Sequence, residues 1–203
     1  MKISFSILLI CLVSLLIVPS FFAAELQRAL ILLFLAATML VFLNTVKQKR
    51  WEMWIGSVLA LLTMLLYSFD FLGIVLIFSL LFYSFIIFEL VLYIVRCKIV
   101  DSSILSASAC VYLLLGLVWC YIYALLDYYF PGSILPILET DIFNNFSRYL
   151  YFSLVTLTTL GYGDITPSTR IAQNWVVLEA IVGQFYLTIL VARLVGLYRS
   201  EKR

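Results

Sequence analysis

A short stretch, TTLGYGD at residues 158–164, stands out in a chain that is otherwise largely apolar. Gly161 and Gly163 permit positive φ, so the backbone of 159–163 can alternate in handedness and turn its carbonyl oxygens to one side. Four such strands around an axis would stack rings of carbonyl oxygens beside a ring of Thr159 hydroxyls. Such rings can replace the hydration shell of a cation. The chemistry indicated is cation coordination by backbone oxygen, which one strand alone cannot complete.

Residues 158–164 resemble the filter of the potassium-channel family, which reads Thr-Val-Gly-Tyr-Gly-Asp and follows a second Thr. Leu160 departs from the usual Val or Ile, and its γ-branched side chain is less stiff than a β-branched one. The carbonyl of Leu160 is unaffected, but whether the filter is as rigid as that of the family is an open question. A tight turn is the alternative interpretation, because Gly and Asp are common turn residues. The matching residues are Thr158, Thr159, Gly161, Tyr162, Gly163 and Asp164.

The resemblance implies roles for individual residues around the filter. Tyr151 and Phe152 occupy positions where the family often carries paired tryptophans that brace the filter tyrosine, and Val155 stands where some members carry a glutamate. We expect the Tyr151 hydroxyl to donate to Asp164. The implied metal site for K+ consists of Thr159, Leu160, Gly161 and Tyr162, through their carbonyls and the Thr159 hydroxyl. The implied filter supports are Thr158, Gly163, Asp164, Tyr151, Phe152 and Val155.

The composition is that of an integral membrane protein. The chain has 203 residues, of which 65% are hydrophobic and 12% charged, with a mean hydropathy of +1.15. A span of the hydrocarbon core takes about 20 helical residues, so the apolar length allows about six passes. The sequence has no histidine. It also shows no paired carboxylates and no nucleophile beside a base, which are the patterns that would indicate an enzyme. Its four cysteines show no paired spacing, which predicts neither a disulfide nor a metal-binding cluster.

The apolar segments predict an all-α membrane protein with six transmembrane helices, and with a re-entrant pore helix and selectivity filter between helices five and six. The first segment also resembles a secretory signal, and we expect it to be retained. The 45 apolar residues at 51–95 are too long for one pass and are divided at a turn near 68–73. The predicted passes are 3–22, 26–44, two within 51–95, 104–128 and 171–198.

Positive charge sets the expected orientation. Lys47, Lys49 and Arg50 follow the second pass, and Arg96 and Lys98 follow the fourth. Because Lys and Arg accumulate in cytoplasmic loops, we expect a multi-pass cell-membrane protein with both termini cytoplasmic. The fourth pass, 70–95, has no Lys or Arg, so voltage-independent gating is predicted.

Two domains are expected. Residues 1–100 form a four-helix peripheral transmembrane domain, and residues 101–203 form the pore domain. The resemblance covers about residues 104–199. Within the pore domain, the predicted elements are the outer helix 104–128, the pore helix 146–158, the filter 159–164 and the inner helix 171–198.

The inner helix carries several candidate functional residues. Gly183 follows Thr159 by 24 residues, where the family places an inner-helix glycine that lets the lower half splay. A role in close helix packing is equally open. Glu179 is expected to point away from the pore and to bond the back of the pore helix as a neutral acid, while Arg193 is expected to snorkel to the inner interface. The predicted cavity and gate residues are Gly183, Gln184, Leu187, Val191 and Val195.

The sequence predicts a potassium-selective channel with passive conduction through a homotetrameric central pore, because one filter strand per chain requires four chains. Membrane lipids and K+ are the expected partners, with no other cofactor and no nucleic acid. Two alternatives stay open. A weakly selective cation channel would follow if Leu160 loosened the filter, and a non-conducting membrane subunit or sensor would assemble with another channel.

Overall fold

The computed structural model describes residues 2–18, 37–38, 58, 72–97, 101–136 and 145–201. The regular structure of these residues is helical apart from one pair of two-residue strands. The elements in chain order are α1 Lys2–Ile17, α2 Leu72–Arg96, α3 Ser102–Tyr129, β1 Ile134–Leu135, α4 Phe146–Leu157, β2 Thr166–Pro167 and α5 Arg170–Glu201.

Three helices of the described ranges are long and apolar enough to cross a membrane. They are Leu72–Arg96, Ser102–Tyr129 and the Arg170–Val195 part of α5. Of the expected fold class, the described residues confirm a helical architecture with three helices capable of crossing a membrane. The predicted pass 26–44 and the first pass within 51–95 lie outside the described residues, apart from short fragments. The count of six passes stays a prediction.

The central helix of the described structure is α3, which contacts α1, α2, α4 and α5. One stripe of buried α3 residues repeats at alternating spacings of four and three, which keeps them on a single face of a helix. Neighbouring positions widen this face, so that most of α3 is covered by protein. The stripe consists of Ser103, Ala107, Cys110, Leu114, Leu117, Tyr121 and Ala124.

The start and end of α3 have local causes. Asp101 is its N-cap, and one carboxylate oxygen accepts from the backbone N–H groups of Ser103 and Ile104, each at 3.1 Å. This cap starts the helix at Ser102, two residues before the predicted start. The helix ends at Tyr129, just before Pro131, whose ring cannot continue a helix.

Helices α1 and α2 both pack on α3. Phe5, Leu8, Leu12 and Leu15 form the buried face of α1 at helical spacing. Gly73, predicted in a turn, is instead the second residue of α2. It is buried, and a Cβ there would lie 2.9 Å from the Tyr128 ring, so the glycine allows close contact with the end of α3.

Helix α5 turns one narrow face toward the rest of its own chain. The side-chain hydroxyl of Thr169 accepts from the backbone N–H of Ala172 at 3.3 Å, which caps the first turn. The opposite faces of α5 are largely exposed in the single chain. A stripe of covered or half-covered residues recurs at spacings of four and three, with the half-covered Ala180, Val182 and Leu194 beside it. The stripe consists of Ala172, Val176, Glu179, Gly183, Tyr186, Leu190 and Arg193.

Candidate functional site

The segment 158–164 follows directly from α4, the helix predicted as the pore helix. Phe146–Leu157 has one strongly buried side, and Asn145 occupies its N-cap position without a side-chain cap bond. At the carboxyl end, the Thr158 hydroxyl donates to the carbonyl of Leu154 at 2.7 Å. This bond satisfies a carbonyl in the last turn of α4, just before the irregular backbone begins.

The backbone of the segment alternates in handedness. Thr159, Gly161 and Gly163 have φ values of 60°, 56° and 79°, while Leu160 and Tyr162 between them do not have positive φ. The sequence indicated positive φ at the glycines but not at Thr159. A non-glycine residue in this region is strained, and such strain concentrates at functional sites.

The start of the segment is tied back to α4 by its own amides. The N–H of Thr159 donates to the Thr156 carbonyl at 2.9 Å. The N–H groups of Leu160 and Gly161 both donate to the carbonyl of Val155, at 2.9 and 3.3 Å. Val155 therefore supports the segment through its backbone carbonyl. Comparison of its side chain with the glutamate of some family members could not indicate this role.

The expected hydrogen bond between Tyr151 and Asp164 is present, with the Tyr151 hydroxyl donating to a carboxylate oxygen at 2.8 Å. Phe152 is buried and packs against the Tyr123 ring of α3, with 4.9 Å between centroids. The two aromatic positions thus face different parts of the chain.

Removal of this hydroxyl tests its role in holding the segment. Tyr151→Phe leaves the ring and removes the solvent-exposed hydrogen bond to Asp164. We expect the decay of a sustained current to become about fivefold faster. Recordings from Tyr129→Phe, which removes an exposed hydroxyl elsewhere, provide the control. Unchanged decay in Tyr151→Phe would count against the role.

Glu179 lies in a buried hydrogen-bond network between α5, α4 and α3. Its side chain is fully buried. One carboxyl oxygen contacts the Ser153 hydroxyl at 2.5 Å, and the other contacts the Tyr123 hydroxyl. The expectation that Glu179 bonds the back of the pore helix is confirmed, since Ser153 belongs to α4.

The protons available in this network favour a neutral Glu179. The Ser153 hydroxyl also lies 2.8 Å from the carbonyl of Gly116, which can only accept. A serine hydroxyl has one proton, so it cannot donate to both Gly116 and Glu179. All three contacts are hydrogen bonds together only if Glu179 donates to Ser153 while Tyr123 donates to Glu179.

Two substitutions at Glu179 separate the neutral from the ionised form. Glu179→Gln can donate its amide to Ser153 and accept from Tyr123, so we expect near wild-type thermal stability of the assembled protein. Glu179→Ala leaves the Tyr123 hydroxyl unsatisfied, at a cost of about 1–3 kcal/mol, and opens a cavity. Thermal denaturation in detergent measures both variants. A Glu179→Gln protein as unstable as Glu179→Ala would show that two donors face an ionised carboxylate.

Gly183 lies where α5 crosses the end of α4. A Cβ on Gly183 would meet the Leu157 carbonyl oxygen at 2.6 Å and the Leu157 side chain at 2.9 Å. The same carbonyl accepts from the Tyr112 hydroxyl at 3.2 Å, and the Tyr112 ring stacks on Tyr186. This geometry gives Gly183 a packing role, one of the two roles left open by the sequence. The hinge role stays a prediction.

The other predicted cavity and gate residues lie away from the covered stripe of α5. All are exposed in the single chain, as are the neighbouring Phe185 and Ile189. Their exposure leaves them free to face a central axis or another copy. These residues are Gln184, Leu187, Val191 and Val195.

Arg193 was expected to snorkel to the inner interface, but it contacts backbone carbonyls at the end of α2. One guanidinium nitrogen, which has two hydrogens to donate, lies within hydrogen-bond distance of the carbonyls of Ile94, Val95 and Cys97, at 2.8, 2.6 and 3.2 Å. Carbonyls at the end of a helix lack intrahelical partners and carry partial negative charge. Arg193 therefore caps the carboxyl end of α2 and ties it to α5 of the same chain.

Residues that the sequence did not single out as functional complete these supports. They are Tyr123 and Ser153 beside Glu179, and Tyr112 beside Leu157. The one available signal was Glu179 itself, because an acid within a membrane helix requires partners. The identity of the partners depends on the fold, since Tyr123 lies 56 residues from Glu179 in the chain.

Comparison with known proteins identifies the class. A family model described as "ion channel" matches residues 59–200, which is more than half of the chain. The chain belongs to this ion channel family, and its predicted membership of the potassium-channel superfamily is confirmed. Membership of an ion channel family favours ion transport over enzymatic catalysis.

Two plant proteins match a shorter part of the chain. Two pore potassium channel c of Oryza sativa subsp. japonica is 43% identical over 47 residues, which are 23% of this chain and 10% of that protein. Two-pore potassium channel 3 of Arabidopsis thaliana is 38% identical over 47 residues, 23% of this chain and 11% of that protein. The chain thus covers about a tenth of each relative. No solved structure matches it significantly.

Proposed function

We propose that this chain forms a potassium-selective channel in which four copies surround a central pore and K+ moves passively down its gradient. The observation that carries the proposal is the alternation of positive φ at Thr159, Gly161 and Gly163 directly after the buried helix α4. Such a strand turns its carbonyl oxygens to one side, and four strands give K+ an oxygen shell in place of water. The names of both plant relatives support the same ion.

Exposed apolar surface supports the assembly of four copies. In the single chain, the side chains of Leu160 and Tyr162 are 57% and 67% exposed, and those of Phe185 and Ile189 on α5 are 62% and 65% exposed. Irregular backbone at membrane depth must be covered by protein or line a water-filled cavity. Three further copies around the axis cover it, and closed four-fold symmetry makes the four strands equivalent.

We infer that α4 is a re-entrant pore helix. Its 12 residues extend about 18 Å at about 1.5 Å per residue, well short of the roughly 30 Å hydrocarbon core. Its carboxyl end carries partial negative charge and favours a cation in the central cavity. The exposed α5 residues Gln184, Leu187, Val191 and Val195 line this cavity and an apolar gate below it.

The proposed subunit crosses the cell membrane six times with both termini cytoplasmic and depends weakly on voltage. Helix α2 has no Lys or Arg before its last residue, Arg96. Each charge that crosses the membrane field contributes about 2.3 kcal/mol per 100 mV, so a helix without such charges senses voltage poorly. A steep conductance-voltage relation in symmetrical K+, without blocking ions, would contradict this proposal.

The full chain reconstituted in liposomes tests conduction and assembly. An outward K+ gradient is expected to drive proton uptake in the presence of a protonophore, reported by a pH-sensitive dye, while an equal Na+ gradient is expected to give little signal. Cross-linking is expected to yield a species of four 23.3 kDa chains. Equal K+ and Na+ signals would favour a weakly selective cation channel. Assembled protein without any flux would favour a non-conducting subunit.

A further inference from the structure

The chain just beyond segment 158–164 is bonded to residues 132–135, which follow α3. The strand Thr166–Pro167, two residues beyond Asp164, pairs in antiparallel register with Ile134–Leu135. The backbone N–H of Ser168 donates to the Ser133 carbonyl at 2.9 Å, and the Ser168 hydroxyl donates to the Gly132 carbonyl. We call this set of contacts, between 132–135 and 166–168, the outer clasp.

Asp127, in the last turn of α3, is the residue that orders the outer clasp. One carboxylate oxygen accepts from the backbone N–H groups of Gly132 and Ser133, both at 3.0 Å. The other accepts from the Tyr149 hydroxyl of α4 at 2.6 Å. Asp127 therefore joins three parts of the chain: the outer helix, the 132–133 turn and the pore helix.

The two ends of the filter differ in how they are held. At the inner end, amides of Thr159, Leu160 and Gly161 bond directly to the last turn of α4. At the outer end, Asp164 accepts from Tyr151, and the chain then reaches the outer clasp. Because the clasp begins at Thr166, only two residues beyond Asp164, displacement of the clasp would pass along the chain to the filter backbone.

We propose that Asp127 is a positioning residue that keeps the filter conducting by fixing its outer end through the outer clasp. This inference rests on the proposed function and extends it to the persistence of the open filter. A hydrogen bond to a carboxylate is stronger than one between neutral groups, and Asp127 makes three. Loss of these bonds leaves Ser133 bonded to the Phe130 carbonyl but removes the link of the 132–133 turn to Asp127 and α4, which loosens the Ser168 anchor that follows the filter.

The test is the duration of conducting bursts in single-channel records of the full chain in planar bilayers. Burst duration does not depend on how many channels have assembled, so it separates positioning from folding. We expect Asp127→Ala to shorten bursts about tenfold and Tyr149→Phe, which removes one of the three bonds, about threefold. Asp127→Asn should shorten bursts less than Asp127→Ala, because an amide oxygen still accepts from Gly132 and Ser133.

The test includes one control variant and two variants that can replace Asp127→Ala. Tyr128→Phe removes the hydroxyl of the exposed tyrosine that follows Asp127 in the chain and should leave burst duration unchanged. If Asp127→Ala fails to assemble, Tyr149→Phe and Ser168→Ala each remove a single bond and take its place. Wild-type burst durations in these variants, with only their yield reduced, would overturn the inference. A wild-type chain that conducts no K+ at all would instead overturn the proposed function.

Discussion

Gly161→Ala is expected to abolish K+ flux through the assembled protein. Gly161 has a φ of 56°, and a Cβ added there meets nothing within 4 Å in the chain, so the substitution acts on backbone conformation rather than on packing. A left-handed conformation costs about 1–2 kcal/mol for an L-residue. In four equivalent strands the cost sums to about 4–8 kcal/mol against the conducting conformation, which corresponds to a loss of roughly a thousandfold or more.

Liposome flux, normalised to the amount of cross-linked tetramer, measures this effect. Leu160→Val is the matched control, because it changes the neighbouring side chain to the residue usual in the family and leaves both glycines in place. We expect flux close to wild type in Leu160→Val. Full flux in Gly161→Ala would mean that positive φ at this position is not needed for conduction.

Gly183→Ala is expected to reduce conduction strongly because it forces α5 away from the end of α4. The added Cβ would lie 2.6 Å from the Leu157 carbonyl oxygen, a backbone atom that cannot rotate away. Overpacking of this kind costs about 1–3 kcal/mol, or about fivefold to more than a hundredfold in the population of the native contact. Removal of the Leu157 side chain should not restore function, since the carbonyl remains.

A second substitution distinguishes packing from a hinge. The double variant Gly183→Ala with Gln184→Gly supplies a flexible residue one position further along α5 while the Cβ at 183 remains. Under the packing role the double variant conducts no better than Gly183→Ala alone. Recovery of flux in the double variant would identify flexibility as the property that matters, in favour of the hinge.

The features that could be predicted from the sequence are those with a local cause. Apolar length predicts α2, α3 and α5, and the glycines at 161 and 163 predict the change of backbone handedness. The Tyr151 to Asp164 bond could also be expected, because the resemblance to the potassium-channel family places Tyr151 behind the filter, close to Asp164. The start of α3 was misplaced by two residues although its cap, Asp101, is also local.

The remaining features depend on contacts between distant parts of the chain. Arg193 caps the end of α2 almost a hundred residues away in sequence. The packing of Gly183 on Leu157 depends on the crossing of α4 and α5. Pattern alone indicated that Gly183 and Arg193 were unusual, but not which atoms they contact.

We expect K+ to pass selectively through a filter formed by 158–164, and a reversal potential measures this selectivity. The full chain in a planar bilayer is recorded with equal concentrations of K+ on one side and Na+ on the other. A tenfold permeability ratio shifts the reversal potential by about 59 mV for a monovalent ion. We predict a shift well beyond about 59 mV, in the direction that favours K+. A reversal potential near zero would contradict the claim, because it would mean that Na+ passes as readily as K+.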